Sequence, residues 1–403
     1  MALTPQQRDA LRSKAARRVV GLAGSATVSV MDKARRLRAE GRSVVDLSGG
    51  DPDFPTAPHV TEAAIRSLQN GFTHYTPSRG IPELLKAIAR KLADENGVRY
   101  DPAREIIVMP GAKQALFVAA QALLDPGDEM ILFSPAWVSY EPCAALAGAT
   151  TVYVPMNMST TPAQLKAALA AAISPRTKLG IVNTPNNPTG QVWSRAHLEV
   201  VAEAAQAHDF LVLSDEIYEK LIYDGEEHIS IASLSGMWER TLILNGLSKS
   251  HAMTGWRLGY IAGPEPLVTE MLKIHQHSAT CASSFVQEAA VAALNGPQEY
   301  TDYMIGRYKA RRDRLVAALN AIPGIHCDLP QGAFYAFPNI AGTGLSSLEF
   351  ADRLLDAEAV AVTPGDAFGP GGEGYVRLSY ANSDEMLEEG ARRIKRFVDS
   401  LQD

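Results

Sequence analysis

The amino-acid sequence predicts an α/β fold: a mostly parallel sheet covered by helices, with a smaller α+β domain packed on it. Three observations carry this expectation. Helical runs and short apolar runs alternate through the middle of the chain. After about Gly263 the pattern changes to long helical stretches. Gly and Pro punctuate the whole length without an internal repeat or a low-complexity linker. The chain has 403 residues, 46% of them hydrophobic and 21% charged, enough apolar surface for a large core, which excludes intrinsic disorder.

At the N-terminus, Arg8, Arg12, Lys14, Arg17 and Arg18 precede a mostly apolar stretch, 19–31, as in a secretory signal peptide. Ser25, Thr27 and Ser29 weaken that stretch, and Asp32-Lys33 follows at once. Residues 30–39 read as the start of an amphipathic helix, so a cytoplasmic protein is expected. Further along, helical patterns at 113–124, 161–172 and 195–208 separate strands expected at 130–133, 151–154, 179–182, 210–213 and 241–244. Crossover helices of this length join parallel strands, which is why the sheet is expected to be parallel. A long helix follows at 300–321. Its Arg307, Lys309, Arg311, Arg312 and Arg314 read as a solvated face. The last part mixes strands (333–337, 360–362, 375–379) with helices (347–355, 384–401). The domain boundaries expected are 1–50 for an N-terminal arm and part of the small domain, 51–295 for the large domain, and 296–403 for a linking long helix and the C-terminal small domain.

Composition removes several function classes. Lys and Arg number 38 against 45 Asp and Glu, a net charge of −7, which argues against a nucleic-acid groove. Cys143, Cys281 and Cys327 are odd in number and widely spaced, so they offer neither a disulfide framework nor paired metal ligands; a reducing compartment and no metal are expected. The longest stretch without a charged residue, 142–165, is broken by Pro142, Gly148 and Pro155 and is not a membrane span.

In a parallel α/β sheet the carboxyl ends of the strands line the ligand crevice. Five polar or glycine-containing groups fall there: Pro110-Gly111-Ala112-Lys113, the run Asn183 to Gly190, Ser214-Asp215-Glu216-Ile217-Tyr218, Gly246-Leu247-Ser248-Lys249, and Met253-Thr254-Gly255-Trp256-Arg257. Gly111-Ala112 opens a helix, whose free N–H groups and positive dipole end suit a phosphate. Asp215, Tyr218, Lys249 and Arg257 offer one small polar ligand a carboxylate, a phenol, an amine and a guanidinium.

With Ser48-Gly49-Gly50-Asp51-Pro52-Asp53-Phe54, His74-Tyr75-Thr76-Pro77, Gly332-Ala333-Phe334-Tyr335 and Val376-Arg377-Leu378-Ser379, these segments span nearly the whole chain. In this order they resemble the class I aminotransferases of the fold type I pyridoxal phosphate enzymes. The continuation of Ser248-Lys249 through Ala252-Met253-Thr254-Gly255-Trp256-Arg257 is most similar to the prokaryotic aspartate aminotransferase group. The resemblance implies a seven-stranded-type sheet and a ping-pong transfer of an amino group between an L-amino acid and a 2-oxo acid. It also implies roles. Lys249 would carry pyridoxal 5′-phosphate covalently and shuttle the proton at the substrate Cα. Asp215 would pair with the pyridinium nitrogen. Tyr218 and Asn187 would hydrogen-bond the 3′ oxygen, lowering the pKa of the lysine–cofactor linkage. Arg257, Ser248 and the Gly111-Ala112 amides would hold the phosphate. Trp137 would stack on the ring, Arg377 would grip the substrate α-carboxylate with its planar fork, and the Gly50 backbone would approach the same carboxylate. Tyr75 would reach the phosphate of the neighbouring subunit, which implies an obligate homodimer with shared active sites.

Lys113 matches a residue that contacts the distal carboxylate of dicarboxylic substrates, so aspartate and glutamate with 2-oxoglutarate are the first expectation. Aromatic, arginine or broad specificity stays open, as does a lyase or cyclase on the same fold. His251 departs from the aromatic residue common in the group and reads as packing. A ligand-sensing regulator is disfavoured, since the fifty residues before Asp51 are too few for a winged helix and linker.

Overall fold

The computed structural model describes residues 3–401 apart from 23 and 25. Its twelve strands are β1 (Val45–Asp46), β2 (Ile106–Met109), β3 (Glu129–Ser134), β4 (Thr150–Pro155), β5 (Thr177–Asn183), β6 (Leu211–Asp215), β7 (Thr241–Gly246), β8 (Gly259–Ala262), β9 (Tyr335–Ala336), β10 (Val360–Ala361), β11 (Thr363–Pro364) and β12 (Val376–Ser379).

Seven of them form one sheet in the order β2-β8-β7-β6-β5-β3-β4. Only β8 runs against its neighbours; β3 to β7 are mutually parallel. Fully buried runs such as Met130 to Phe133 and Ile243 to Leu244 mark a sheet covered on both faces. The helices Ala112–Leu123, Pro162–Ala172 and Arg195–His208 supply that cover. Ser194 accepts the His197 amide and Thr161 forms a capping box with Gln164, so two of these helices begin where the chain leaves a loop. The chain steps from β3 out to β4, then back across to β5, β6 and β7. The carboxyl ends of β3, β5, β6 and β7 therefore open on one crevice.

The remaining strands make a parallel pair, β1-β10, and an antiparallel set, β11-β12-β9. Three helices, Glu299–Asn320, Ser347–Glu358 and Asp384–Asp399, pack with them. The last buries Leu387, Ala391, Ile394 and Val398, the i, i+4, i+7, i+11 stripe of an amphipathic helix. Its Gly390 is needed because a Cβ there would lie 2.7 Å from Leu47 Cδ1. Leu47 thus ties the early chain into the core of the C-terminal elements.

Several expectations need correction. Strands β2 and β8 were not anticipated: each is a four-residue apolar run without alternation, and the reversed β8 interrupts the strand–helix rhythm. The basic face of the Glu299–Asn320 helix is only partly solvated: Arg307, Lys309 and Arg314 keep exposed side chains, but Arg311 and Arg312 do not. Arg311 and Arg312 are buried, at 5% and 1% exposure. Arg311 pairs with Asp53 and Asp384, and Arg312 with Asp224 and Asp313. The helix expected from residue 30 spans Ala26–Ala39, whereas Ser25 lies outside the described residues. Among the described residues no helix is long and apolar enough to cross a membrane.

Candidate active site

The crevice at the carboxyl ends of the strands holds a cavity of about 350 Å³. Its lining includes Gly50, Ala112, Lys113, Trp137, Asn187, Asp215, Tyr218, Ser248, Lys249, Arg257 and Arg377, eleven of the residues singled out in the sequence. Gly111 borders it through Arg257. Tyr75 is elsewhere, 86% exposed.

Asp215 is the last residue of β6, and its carboxylate is buried. Oδ2 accepts the Tyr140 hydroxyl at 2.7 Å and Oδ1 the Ile217 amide at 3.2 Å. Burial pushes its pKa up to about 6; these two hydrogen bonds oppose the shift and the Glu216 carboxylate adds to it. No ion pair holds this carboxylate among the described residues; the Lys249 ammonium favours its charged form from farther away. The neighbouring Asn183, at the end of β5, donates to the Asp215 carbonyl at 3.0 Å and accepts the Asn187 amide at 2.9 Å, which fixes the Asn183 to Gly190 loop against β6.

Lys249 follows β7, and its amine donates to the Gly50 carbonyl. Burial lowers its pKa to about 8. Asp51 counters that effect, while Arg377, Arg257 and Lys113 reinforce it. An amine so placed is partly neutral near physiological pH, as a nucleophile or a proton carrier requires.

Arg377, on β12, is 3% exposed. It donates to Asn187 Oδ1 at 3.0 Å and to the Ser48 carbonyl at 2.7 Å, and its Nε is buried without a partner. The guanidinium lies 4.5 Å from the Tyr335 ring centre and 5.0 Å from that of Phe368. Among the described residues no carboxylate pairs with it, which leaves this fork for an anion from outside the chain. Lys113 lines the same cavity. Its ammonium sits 4.9 Å over Trp137, and burial lowers its pKa.

At the far end, Gly111 caps the Ala112–Leu123 helix at φ +90 with no side-chain hydrogen bond to the first amides. A Cβ on Gly111 would stand 2.5 Å from Arg257 Nη2, and one on Gly259 would stand 2.4 Å from the Ala112 nitrogen. Both glycines are therefore required if the guanidinium and the helix N-terminus are to share one anion site. Arg257 itself adopts a left-handed backbone, φ 55, anchored by Nη1 on the Thr254 carbonyl at 2.8 Å.

The model of the family described as "Aminotransferase class I and II" matches residues 42–394. The chain belongs to that family. The aminotransferase is 45% identical to an aspartate aminotransferase of Geobacillus stearothermophilus, over 96% of this chain and 99% of that protein. It is 42% identical to aromatic-amino-acid aminotransferase 2 of Thermococcus litoralis, covering 88% and 92%. Among solved structures, the aspartate aminotransferase of Thermus thermophilus with maleate superposes with a TM-score of 0.90 at 42% identity, covering 95% of this chain and 99% of the other.

The aminotransferase uses pyridoxal phosphate and acts on amino acids and 2-oxo acids. Its cavity suits that cofactor: a buried carboxylate with no ion-pair partner among the described residues, a lysine amine of lowered pKa, an aromatic wall and an anion cradle at a helix N-terminus face one space. The cavity also holds residues to which the sequence assigned no role. Tyr140 and Tyr335 are the chief ones. Tyr335 stands in the Gly332 to Tyr335 motif, a usable signal, whereas nothing local links Tyr140 to Asp215. His251 is buried, its ring nitrogens facing Ser250 Oγ at 2.8 Å and Gln298 Oε1 at 3.2 Å. Burial lowers its pKa to about 4, so it stays neutral.

Proposed function

We propose that this aminotransferase moves the amino group of aspartate or glutamate to a 2-oxo acid, with 2-oxoglutarate as the usual acceptor, in a ping-pong cycle. The observation that supports this most is that Arg377 and Lys113, two cations without a carboxylate partner among the described residues, line the cavity that holds Lys249. A dicarboxylic substrate presents two carboxylates to two such groups. Aspartate aminotransferase is also the name of the relative at 45% identity.

Pyridoxal phosphate, when bound, supplies the electron sink that stabilises negative charge at the substrate Cα. The chain supplies position and proton transfer. In this reading Arg377 takes the α-carboxylate in its fork, beside the Gly50 backbone, and Lys113 takes the distal carboxylate. Lys249 would hold the cofactor at rest, and its freed Nζ would carry the proton from Cα. Asp215 would keep the ring nitrogen protonated, and Tyr140 favours the ionised Asp215. Trp137 would stack on the ring, Tyr218 and Asn187 would hydrogen-bond its 3′ oxygen, and Ser248, Arg257 and the amides after Gly111 would hold the phosphate.

The same reading makes the working form a cytoplasmic homodimer. Tyr75, 86% exposed, is then a contact to the partner's phosphate site. Residues 1–50 are its arm and part of the small domain, 51–295 the large domain, and 296–403 the linking long helix and C-terminal small domain.

The test compares kcat/KM for aspartate and phenylalanine, with 2-oxoglutarate as acceptor, in the parent and in Lys113→Ala. A loss of about 10-fold or more for aspartate alone is expected, the scale of one charged hydrogen bond. Equal losses for both donors would remove Lys113 from the substrate pocket.

A further inference from the structure

Tyr335 occupies a junction that none of the assigned roles covers. It is buried, and its hydroxyl lies 2.8 Å from the Tyr218 hydroxyl. Its ring supports the Arg377 guanidinium at 4.5 Å. The Gly50 backbone presses so close that a Cβ there would stand 2.6 Å from Tyr335 Oη. One side chain therefore touches the phenol assigned to the cofactor, the guanidinium assigned to the substrate carboxylate, and the backbone that accepts from Lys249.

We propose that Tyr335 is a positioning residue that acts through both neighbours: its hydroxyl donates to Tyr218, which turns the Tyr218 proton toward the cofactor's 3′ oxygen, and its ring holds the Arg377 fork for the substrate α-carboxylate. The proposal deepens the functional reading above and rests on it.

The physical argument is a count of donors and acceptors. A phenol has one proton and can both donate and accept. Tyr218 has the Tyr335 hydroxyl as its hydrogen-bond partner. When an anionic oxygen stands on its other side, the lowest-energy arrangement sends the Tyr218 proton to that anion and the Tyr335 proton to Tyr218. Such a chain polarises each bond in turn. A donor to the 3′ oxygen favours the state in which that oxygen carries the full negative charge, so it lowers the pKa of the lysine–cofactor chromophore. Removing the Tyr335 hydroxyl weakens the donor and raises that pKa. The charged groups facing the two phenols are Arg377, Asp51 and Asp215, and all three stay in place in a Tyr335→Phe protein.

The ring's role is separable from the hydroxyl's. Phe at 335 keeps the aromatic face under Arg377 and loses only the hydroxyl, whereas Leu loses both. Phe368, at 5.0 Å, is then the one aromatic face left against the guanidinium among the described residues.

The experiment loads the parent, Tyr335→Phe, Tyr335→Leu and Lys249→Ala proteins with pyridoxal phosphate. Each is titrated with pH by visible absorption and then titrated with maleate, a dicarboxylate with no amine to transfer. The expected result for Tyr335→Phe is a chromophore pKa raised by roughly half to one unit, the worth of one hydrogen bond, with maleate affinity within about twofold of the parent. Tyr335→Leu is expected to show the same rise and to bind maleate at least about fivefold more weakly, the loss of a buried cation–π contact. A Tyr335→Phe protein that titrates like the parent would overturn the proposal, as would equal maleate affinity in the Phe and Leu proteins. If Lys249→Ala keeps the parent's titrating band, the underlying site reading fails, independently of Tyr335.

Discussion

Tyr140 donates its hydroxyl to Asp215 Oδ2 at 2.7 Å, and neither group is open to water. The phenol starts the Tyr140–Ala147 helix and the carboxylate ends β6, so two separate elements converge on one buried charge. Tyr140→Phe removes a bond that favours the ionised carboxylate. Its expected effect is a cofactor dissociation constant raised by about 10-fold, more at pH 6 than at pH 8, with a small change in apoprotein stability. Fluorescence titration of the apoprotein with pyridoxal phosphate at the two pH values checks this.

Asp215 also sets a pH dependence of stability. Its pKa is raised to about 6 in the folded protein from its ordinary 3.8. The folded apoprotein therefore binds the proton more tightly than the unfolded chain. The stability this contributes is fully present below pH 3.8 and is lost as pH rises through about 6. Above that window the buried carboxylate costs up to about 3 kcal/mol. Asp215→Asn should make the apoprotein more stable than the parent at pH 7.5 and nearly equal to it at pH 4. Pyridoxal phosphate should stabilise the parent more than the variant, since only the parent offers a carboxylate to the ring nitrogen. Urea unfolding of both proteins, with and without cofactor, reads the two signs.

Gly50→Ala places a methyl group 2.6 Å from Tyr335 Oη. The backbone there accepts any residue, so the effect is a clash rather than strain. Displacing a buried tyrosine costs about 1–3 kcal/mol, and the displaced ring disturbs Arg377. The expected outcome is a lower urea midpoint together with a raised KM for both substrates.

Behind the site, Lys91 donates to Glu219 and to Asn96, and the Asn96 amide reaches both Glu216 Oε2 at 2.9 Å and Glu219 Oε2 at 2.7 Å. His228 lies 3.1 Å from Glu216, and its pKa is raised, burial being outweighed by the two carboxylates. Glu216, Glu219 and His228 have the spacing of a metal site, but these donors already engage the carboxylate oxygens. Lys91→Met leaves a buried carboxylate unpaired and should destabilise by about 3–5 kcal/mol; adding Glu219→Gln should recover much of that. Thermal unfolding of the two variants gives the comparison.

The site was legible where chemistry and strand ends coincide. Asp215, Lys249 and the Asn183 to Gly190 loop each follow an apolar run, and the rule for parallel sheets places such positions at the crevice. Arg257 and Gly111 were legible for a different reason, a short motif read with its context. What escaped depends on contacts across long sequence distances. Asp313, which pairs with Arg312, lies on the same helix, but Asp53, Asp224 and Asp384 come from elsewhere in the chain, and the helix's own charge pattern is the same whether or not those three are there. Tyr140 was hidden likewise: it carries an ordinary aromatic signal, and only the folded chain brings its hydroxyl to Asp215, while the motif that marks Tyr335 says nothing of its contact with Tyr218.

The most direct measurement is a half-reaction screen, in which the protein loaded with pyridoxal phosphate meets single amino acids without an acceptor while its visible absorption is followed. Aspartate and glutamate should each convert the cofactor to its amino form and release one equivalent of 2-oxo acid, and 2-oxoglutarate should reverse the change. Conversion by aromatic or basic amino acids alone, or release of ammonia without conversion, would contradict the dicarboxylate account.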